Sequence, residues 1–435
     1  MDATKRSARG VRTTALWCAV YAALSATTAG AATASFDLGA ERSDNIARTA
    51  TDETAETTAT ARGALAMSVD RPRLKGDIDA DLRYRSYLEN SYDDEVIGGA
   101  NVNLDFALIK ERLAWIATDN FGQVANDRRQ VETPDNRQNF NVFSTGPNLT
   151  LPLGDRTDFL VGGRWTTADY EDSAQNSDSV DASVGLSRQL SEHTGISLYG
   201  EGSETDYESD PLNQKYRIKS AYLRYDATGS RTTLSMDGGY TETSHGETSN
   251  GGTLFHLNLS RKVGAYSTIG LTAGSDFQDT ATQFSLNQTQ VGVQDSNQNT
   301  VVAADVFRAN YVYLTFGTQK DRTSFSLSIN GTRERHETQT TLDRDYIRTT
   351  ASISRRATQR LDVELHGNYV DEEFVGPGAV KFKEWSAGFG VLMRITQSIG
   401  MRLSFDRYEG SSDDDTRDYK ENRAYLGFGY TVGKR

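Results

Sequence analysis

Leu74-Lys75-Gly76-Asp77-Ile78-Asp79-Ala80-Asp81-Leu82-Arg83-Tyr84-Arg85 is the stretch on which the fold turns. Leu74, Ile78, Ala80, Leu82 and Tyr84 fall on one parity, and Lys75, Asp77, Asp79, Asp81, Arg83 and Arg85 on the other. Successive side chains of a strand point to opposite faces, so this segment has one apolar and one ionic face. A soluble sheet would need a core against the apolar face. Here such segments recur along the chain with no helical pattern between them. A closed barrel in a bilayer satisfies many such strands and leaves no edge.

Twenty segments read this way: 36–47, 58–71, 73–89, 96–108, 110–124, 138–153, 157–172, 177–191, 193–209, 215–228, 231–246, 252–264, 266–279, 302–319, 322–337, 345–358, 359–374, 382–396, 397–411 and 419–433. The count is even, as bacterial single-chain barrels require, and falls to 18 if the first segment and one partner lie outside the wall. Tight turns, as at Arg71-Pro72-Arg73 and Gly154-Asp155-Arg156, alternate with longer polar connections at 48–57, 90–95, 125–137, 173–176, 210–214, 247–251, 280–301, 338–344, 375–381 and 412–418. The expected fold is all-β: a single transmembrane antiparallel up-and-down β-barrel of about 20 strands. Both termini and the tight turns are expected in the periplasm, with the long loops outside.

Composition agrees. The 435 residues include 38 Gly, 20 Tyr, 17 Phe and 6 Pro, and 36% are hydrophobic. A barrel with a wet interior needs only an outer apolar belt. No stretch after the first few tens of residues carries the roughly 20 apolar residues of a membrane helix. At the N-terminus, Lys5, Arg6, Arg9 and Arg12 precede an apolar run from Ala15 to Ala26. Small residues at Ala29-Gly30-Ala31 and Ala32-Thr33-Ala34 then offer two cleavage points. Residues 1–34 are expected to be a signal peptide and 35–435 the barrel. Removing the leader removes the only cysteine, Cys18, four cations and Asp2, and moves the net charge from −13 to −16. That balance argues against nucleic acid as a partner. Outer-membrane lipid and lipopolysaccharide are the expected surroundings.

The facing of single segments is consistent. Val102, Leu104, Phe106 and Leu108 oppose Asn101, Asn103 and Asp105. Leu361, Val363, Leu365 and Tyr369 oppose Arg360, Asp362, Glu364, His366 and Asn368. Ile399, Met401, Leu403 and Phe405 oppose Arg402, Ser404 and Asp406. The apolar member of each set should touch lipid and the polar member should line the lumen. The lumen candidates are Lys75, Asp77, Asp79, Asp81, Arg83, Arg85, Asp105, Arg360, Asp362, Glu364, Arg402 and Asp406. They read either as a selectivity lining or, more commonly, as charges balanced across neighbouring strands. Tyr84, Tyr87, Tyr369, Phe374 and Tyr408 are candidates for interfacial belts. The last segment, Tyr425-Leu426-Gly427-Phe428-Gly429-Tyr430-Thr431-Val432, resembles the C-terminal strand by which the barrel-assembly machinery recognises its clients. It differs in continuing to Gly433-Lys434-Arg435.

Three stretches, Asp44-Asn45-Ile46, Trp115 with Asp119-Asn120-Phe121-Gly122-Gln123, and Ser144-Thr145-Gly146-Pro147-Asn148, resemble outer-membrane β-barrel porins encoded with exopolysaccharide assembly systems (β-barrel porin 2-like). The resemblance implies a cell outer-membrane pore taking part in polysaccharide secretion or assembly, with polysaccharide and periplasmic export components as partners. Two other functions fit the residues: a general diffusion porin for small solutes, and a structural or adhesive surface barrel.

No catalytic, cofactor or metal constellation is legible. No two of His193, His245, His256, His336 and His366 stand at metal-ligand spacing, and no phosphate-binding glycine loop precedes a helix. The expectation is a non-enzyme without cofactor or metal. The connection 280–301 carries amides at Gln288, Gln290, Gln294, Asn297, Gln298 and Asn299. These would contact glycan or constrict the pore if the loop folds inward. The connection 125–137, with Asp127, Arg128, Arg129, Glu132 and Asp135, poses the same choice. A solvated external loop is the commoner arrangement for both.

Overall fold

The computed structural model describes residues 31–171, 175–208, 215–281, 303–376, 378–413 and 417–433. It holds twenty strands: β1 (Ala31–Ser43), β2 (Glu56–Arg71), β3 (Leu74–Tyr87), β4 (Glu95–Ile109), β5 (Leu113–Ala125), β6 (Arg137–Pro152), β7 (Thr157–Tyr170), β8 (Ser177–Ser191), β9 (Thr194–Tyr207) and β10 (Tyr216–Thr228), then β11 (Thr232–His245), β12 (Thr248–Val263), β13 (Ser267–Asp279), β14 (Val306–Lys320), β15 (Thr323–His336), β16 (Arg344–Arg356), β17 (Leu361–Phe374), β18 (Val380–Arg394), β19 (Ile399–Ser412) and β20 (Tyr419–Gly433). Each pairs antiparallel with the next, and β20 closes on β1 from Thr33↔Gly433 to Ser43↔Arg423. The first strand is therefore in the wall, and the count is 20 rather than 18. It starts at Ala31, so the second expected cleavage point lies inside a paired strand.

Register fixes the faces. Asp37, Arg62 and Arg83 share one rung and face inward, whereas Leu38, Ala61 and Tyr84 share the next and face outward. Phe36, Leu38, Tyr84, Leu365, Phe389, Leu403, Phe405, Leu426 and Phe428 are all exposed on the outer surface. A soluble protein does not leave such a belt in water, and acyl chains take it without cost. A closed barrel with this belt is the form in which strands cross a bilayer, and it places the chain in an outer membrane.

The belt assignments need correction at three aromatics. Tyr84 and Tyr369 face outward and are exposed, but Tyr87 and Phe374 are each 3% exposed and turn into the lumen. Tyr408 faces inward as well, beneath the guanidinium groups of Arg48 and Arg423. Tyr87 lies an odd number of residues from Tyr84, so the two occupy opposite faces. A second correction concerns 247–251, which is not a long connection. Gly246 has φ +60, the left-handed conformation of a tight hairpin, and Gly246-Glu247 alone joins β11 to β12. The Ser/Asn/Gly run beyond it is paired strand, with Asn250 opposite Thr243.

Gly98 in β4 has φ +126, and a Cβ there would stand 1.9 Å from the Asp81 carbonyl oxygen on β3. Its N–H leaves the ladder and donates to Gln123 Oε1 at 2.7 Å. Gly98→Ala is expected to reduce the folded, heat-modifiable barrel seen on unboiled gels to a small fraction. Gly63→Ala, whose Cβ meets only a ring carbon at 3.9 Å, should leave it unchanged.

Candidate functional site: a loop folded into the lumen

The β5–β6 connection, residues 126–136, does not project from the barrel. It is a compact turn. The Asp127 N–H donates to Asn136 Oδ1 at 2.9 Å, Asn136 Nδ2 donates to the carbonyls of Asp127 and Val131, and Asp127 Oδ1 accepts from the Arg129 N–H. A short 3-10 turn over Pro134–Asn136 returns the chain to the wall. Arg128 at its tip forms an ion pair of 3.1 Å with Glu372 on β17, across the lumen from β5 and β6. The Arg417 guanidinium, from the β19–β20 connection, donates to the Arg129 carbonyl. This inner loop therefore spans the barrel interior at the end bearing the longer connections.

Both anchorages run into chains of alternating charge. On the far side, Glu372 also accepts from Arg344 Nη1 at 2.7 Å. Arg344 is 0% exposed, donates to Glu334 at 2.6 and 3.1 Å, and lies over the Tyr346 ring. On the near side, Glu132 meets Arg137 at 3.2 Å, Arg137 meets Glu95 at 2.9 Å, and Arg85 bridges Glu95 and Glu41. The β1–β2 connection adds Arg48, which pairs with Glu421 at 3.0 Å and lies over Tyr408 and Tyr419. Buried charges survive when each has an opposite neighbour and a hydrogen-bond partner, and these do.

A second element enters the same end. Ala281, just past β13, packs with Val124, Phe140, Val142, Ala168 and Tyr170 on β5–β7. Asp305, just before β14, is fully buried. Its carboxylate accepts from the Tyr216 hydroxyl and from the N–H groups of Thr338 and Gln339 at 2.9 and 2.8 Å. Burial pushes this carboxyl up, and His336 and those two N–H groups outweigh burial and hold it below the usual range. The roots of the β13–β14 connection thus lie inside. The six amide candidates from Gln288 to Asn299 lie outside the described residues.

The twelve lumen candidates divide. Lys75, Asp77, Asp79, Asp81, Arg83, Arg85, Asp105, Asp362, Glu364, Arg402 and Asp406 occupy inward positions. Arg360 does not, because β17 starts at Leu361 and Arg360 sits in the preceding turn. The inward charges are largely balanced across strands. Arg62 holds Asp37 and Asp81, Arg394 holds Asp362, and His366 Nε2 meets Asp406 Oδ1 at 2.6 Å. Asp237 and Asp276 bracket His256 at 3.2 and 2.9 Å, so both its ring nitrogens are engaged. Toward the tight turns, Lys75, Asp77, Asp79 and Asp105 are exposed to the lumen.

Sequence reasoning missed the anchors Glu372, Arg344, Glu334 and Glu384. The glutamates read as further inward charges and Arg344 as part of a connection. Arg128 of the inner loop gives Glu372 its role, with Arg344 and Glu334 behind it, and Glu384 faces Arg48 of the β1–β2 connection. Between that loop and the wall lies a crevice lined by Arg128, Gln130, Glu132, Arg348, Asn368, Val370, Phe382 and Glu384.

The loop's own carboxyls respond to this setting. Burial pushes Glu132 up, but Arg137, Arg48 and Arg128 outweigh it and hold the group below the usual range. Asp127 is lowered too, where Arg129 outweighs burial. A carboxyl lowered on folding stabilises the docked loop fully above its unfolded value of about 4.3, and that contribution disappears as pH falls through its native value. Single-channel conductance should therefore be flat from about pH 8 to about pH 5 and rise only below about pH 4. A rise between pH 8 and 6 would contradict this assignment.

No family model and no curated sequence matches the chain. Among solved structures, the barrel is similar to the Pseudomonas aeruginosa ferric enterobactin receptor PfeA (double mutant; 8% identity, TM-score 0.48, covering 92% of this chain and 80% of that one). It is also similar to the P. aeruginosa outer membrane protein opdK (11% identity, TM-score 0.36, covering 92% and 99%). A third similar structure is a loop-deletion mutant of OmpT, an outer membrane protein of Vibrio cholerae (10% identity, TM-score 0.34, covering 93% and 100%). The wall itself, twenty antiparallel strands closed on one another around a polar interior, is an outer-membrane β-barrel.

Proposed function

We propose that the chain is a loop-constricted, non-enzymatic channel for small hydrophilic solutes. The observation that carries this reading is the inner loop docked across the lumen through Arg128 and Glu372. A loop held inside a barrel sets a size limit that the wall alone does not, because a 20-stranded wall encloses a wide space. The exposed Lys75, Asp77, Asp79 and Asp105 give the passage a polar lining. The test is reconstitution of the purified barrel in planar bilayers. Discrete ohmic steps support the reading, and a barrel that inserts but carries no current refutes it.

Polysaccharide export, which the family resemblance implies, makes a different demand. A glycan chain would need the inner loop to leave the lumen. A deletion strain separates the two: slowed uptake of small solutes with surface polysaccharide retained favours the diffusion channel, and the reverse favours export.

A further inference from the structure

The crevice beside the inner loop has an ordered charge pattern. On one rung of the wall, Arg348 of β16 pairs with Val370 of β17, which pairs with Glu384 of β18. Neighbouring strands stand about 4.8 Å apart, so a fixed cation and a fixed anion are rooted about 10 Å apart with an apolar floor between them. The inner loop covers this rung with Arg128, Gln130 and Glu132, and Asn368 and Phe382 complete the lining. The crevice is partly open to the lumen.

These groups are engaged with the wall. Arg348 Nε donates to Asn368 Oδ1 at 3.0 Å, Glu384 accepts from the Tyr419 hydroxyl and lies 3.6 Å from Arg48, and Arg128 and Glu132 are ion-paired. They are thus held in place, and a solute meets two guanidinium groups and two carboxylates at fixed positions. An anion entering here meets Arg128 and Arg348 with Glu372, Glu132 and Glu384 close by, and a cation meets Glu132 and Glu384 with Arg137 and Arg48 close by, so a solute of one sign faces both attraction and repulsion. An uncharged solute displaces water from all four and returns no charge to any of them. A solute bearing both signs satisfies both sets.

We propose that this crevice is a selectivity site for zwitterionic solutes of dipeptide size. The proposal rests on the channel reading and names the solute class of the same passage. A two-residue peptide places its terminal charges at most about 7 Å apart, which the inward reach of Arg348 and Glu384 brings within range. Val370 and Phe382 offer its side chains an apolar surface.

The test is liposome swelling with the full barrel and four probes of similar size: diglycine, N-acetyl-diglycine (an anion), diglycine amide (a cation) and an uncharged sugar alcohol. Diglycine is expected to enter about fivefold faster than any of the other three. In Arg348→Gln/Glu384→Gln the four rates should converge to within about twofold. Diglycine should also reduce the ion current of the unaltered channel at lower concentration than N-acetyl-diglycine, a readout that needs no variant. Swelling with all four probes at similar rates in the unaltered channel overturns the zwitterion site and leaves the channel intact. No swelling with any probe overturns both.

Discussion

Replacing residues 127–135 by a short Gly/Ser linker is expected to raise single-channel conductance about threefold or more, because conductance follows the narrowest open section of a pore. The inner loop reaches the opposite wall through Arg128 to Glu372, and its Arg129 carbonyl accepts from Arg417 of the β19–β20 connection. Deleting it also uncovers the rung holding Arg348, Val370 and Glu384, so discrimination among charged probes should fall as current rises. The wall should survive. Its strands β5 and β6 pair from Leu113↔Leu149 to Ala125↔Arg137 without using the loop. An unchanged conductance in a folded deletion would show that another element sets the constriction, the roots of the β13–β14 connection being the first to test.

The second large effect is on stability. Arg344→Ala removes the cation shared by Glu334 and Glu372, all three of which are buried. Removing one partner of such a cluster leaves charges in a low-dielectric site and costs about 3–5 kcal/mol. The temperature at which the folded barrel converts to the slow-migrating species on unboiled gels should fall well below that of the parent chain. Arg344→Lys should fall between the two, because an ammonium replaces the charge but not the fork that reaches both carboxylates. Since Glu372 also holds Arg128, the Ala variant should show irregular, noisy current where it still inserts. A surface pair gives the contrast. Lys110–Glu111 is exposed on both sides, and Lys110→Ala should leave the transition unmoved.

The wall was legible because its code is local. A period of two assigns each residue to a face, and a single outward residue such as Leu365 or Phe405 fixes its whole strand. Errors at Tyr87, Phe374 and Tyr408 came from treating closeness to a strand end as the criterion for the belt, when parity decides. The error at 247–251 came from composition, since Ser, Asn and Gly in a row resemble a loop, yet Gly246 closes the hairpin before them.

The site was not legible for a different reason. Asp127, Arg128, Arg129, Glu132 and Asp135 look like a solvated tip, and only Glu372 and Arg417, far away in sequence, make the inward fold worthwhile. Arg344 and Glu334, on β16 and β15, are about half-way round the barrel from the inner loop's own strands, and no spacing rule links them. Inward charges of adjacent strands do lie beside opposite charges, as Arg62 does between Asp37 and Asp81.

The central claim is that residues 126–136 lie inside the barrel against β16–β18. Gln130 and Asn368 line the same crevice, so cysteines at these two positions test it directly. In a Cys18→Ser background the chain has no other thiol. Treatment of intact outer membranes with a short bismaleimide should link Gln130→Cys to Asn368→Cys within one chain, shift its mobility after denaturation, and fix the conductance at the parent value across acid pH. If both thiols react with monofunctional maleimide but never with each other, the loop is not docked on that wall, and the account of the constriction fails with it.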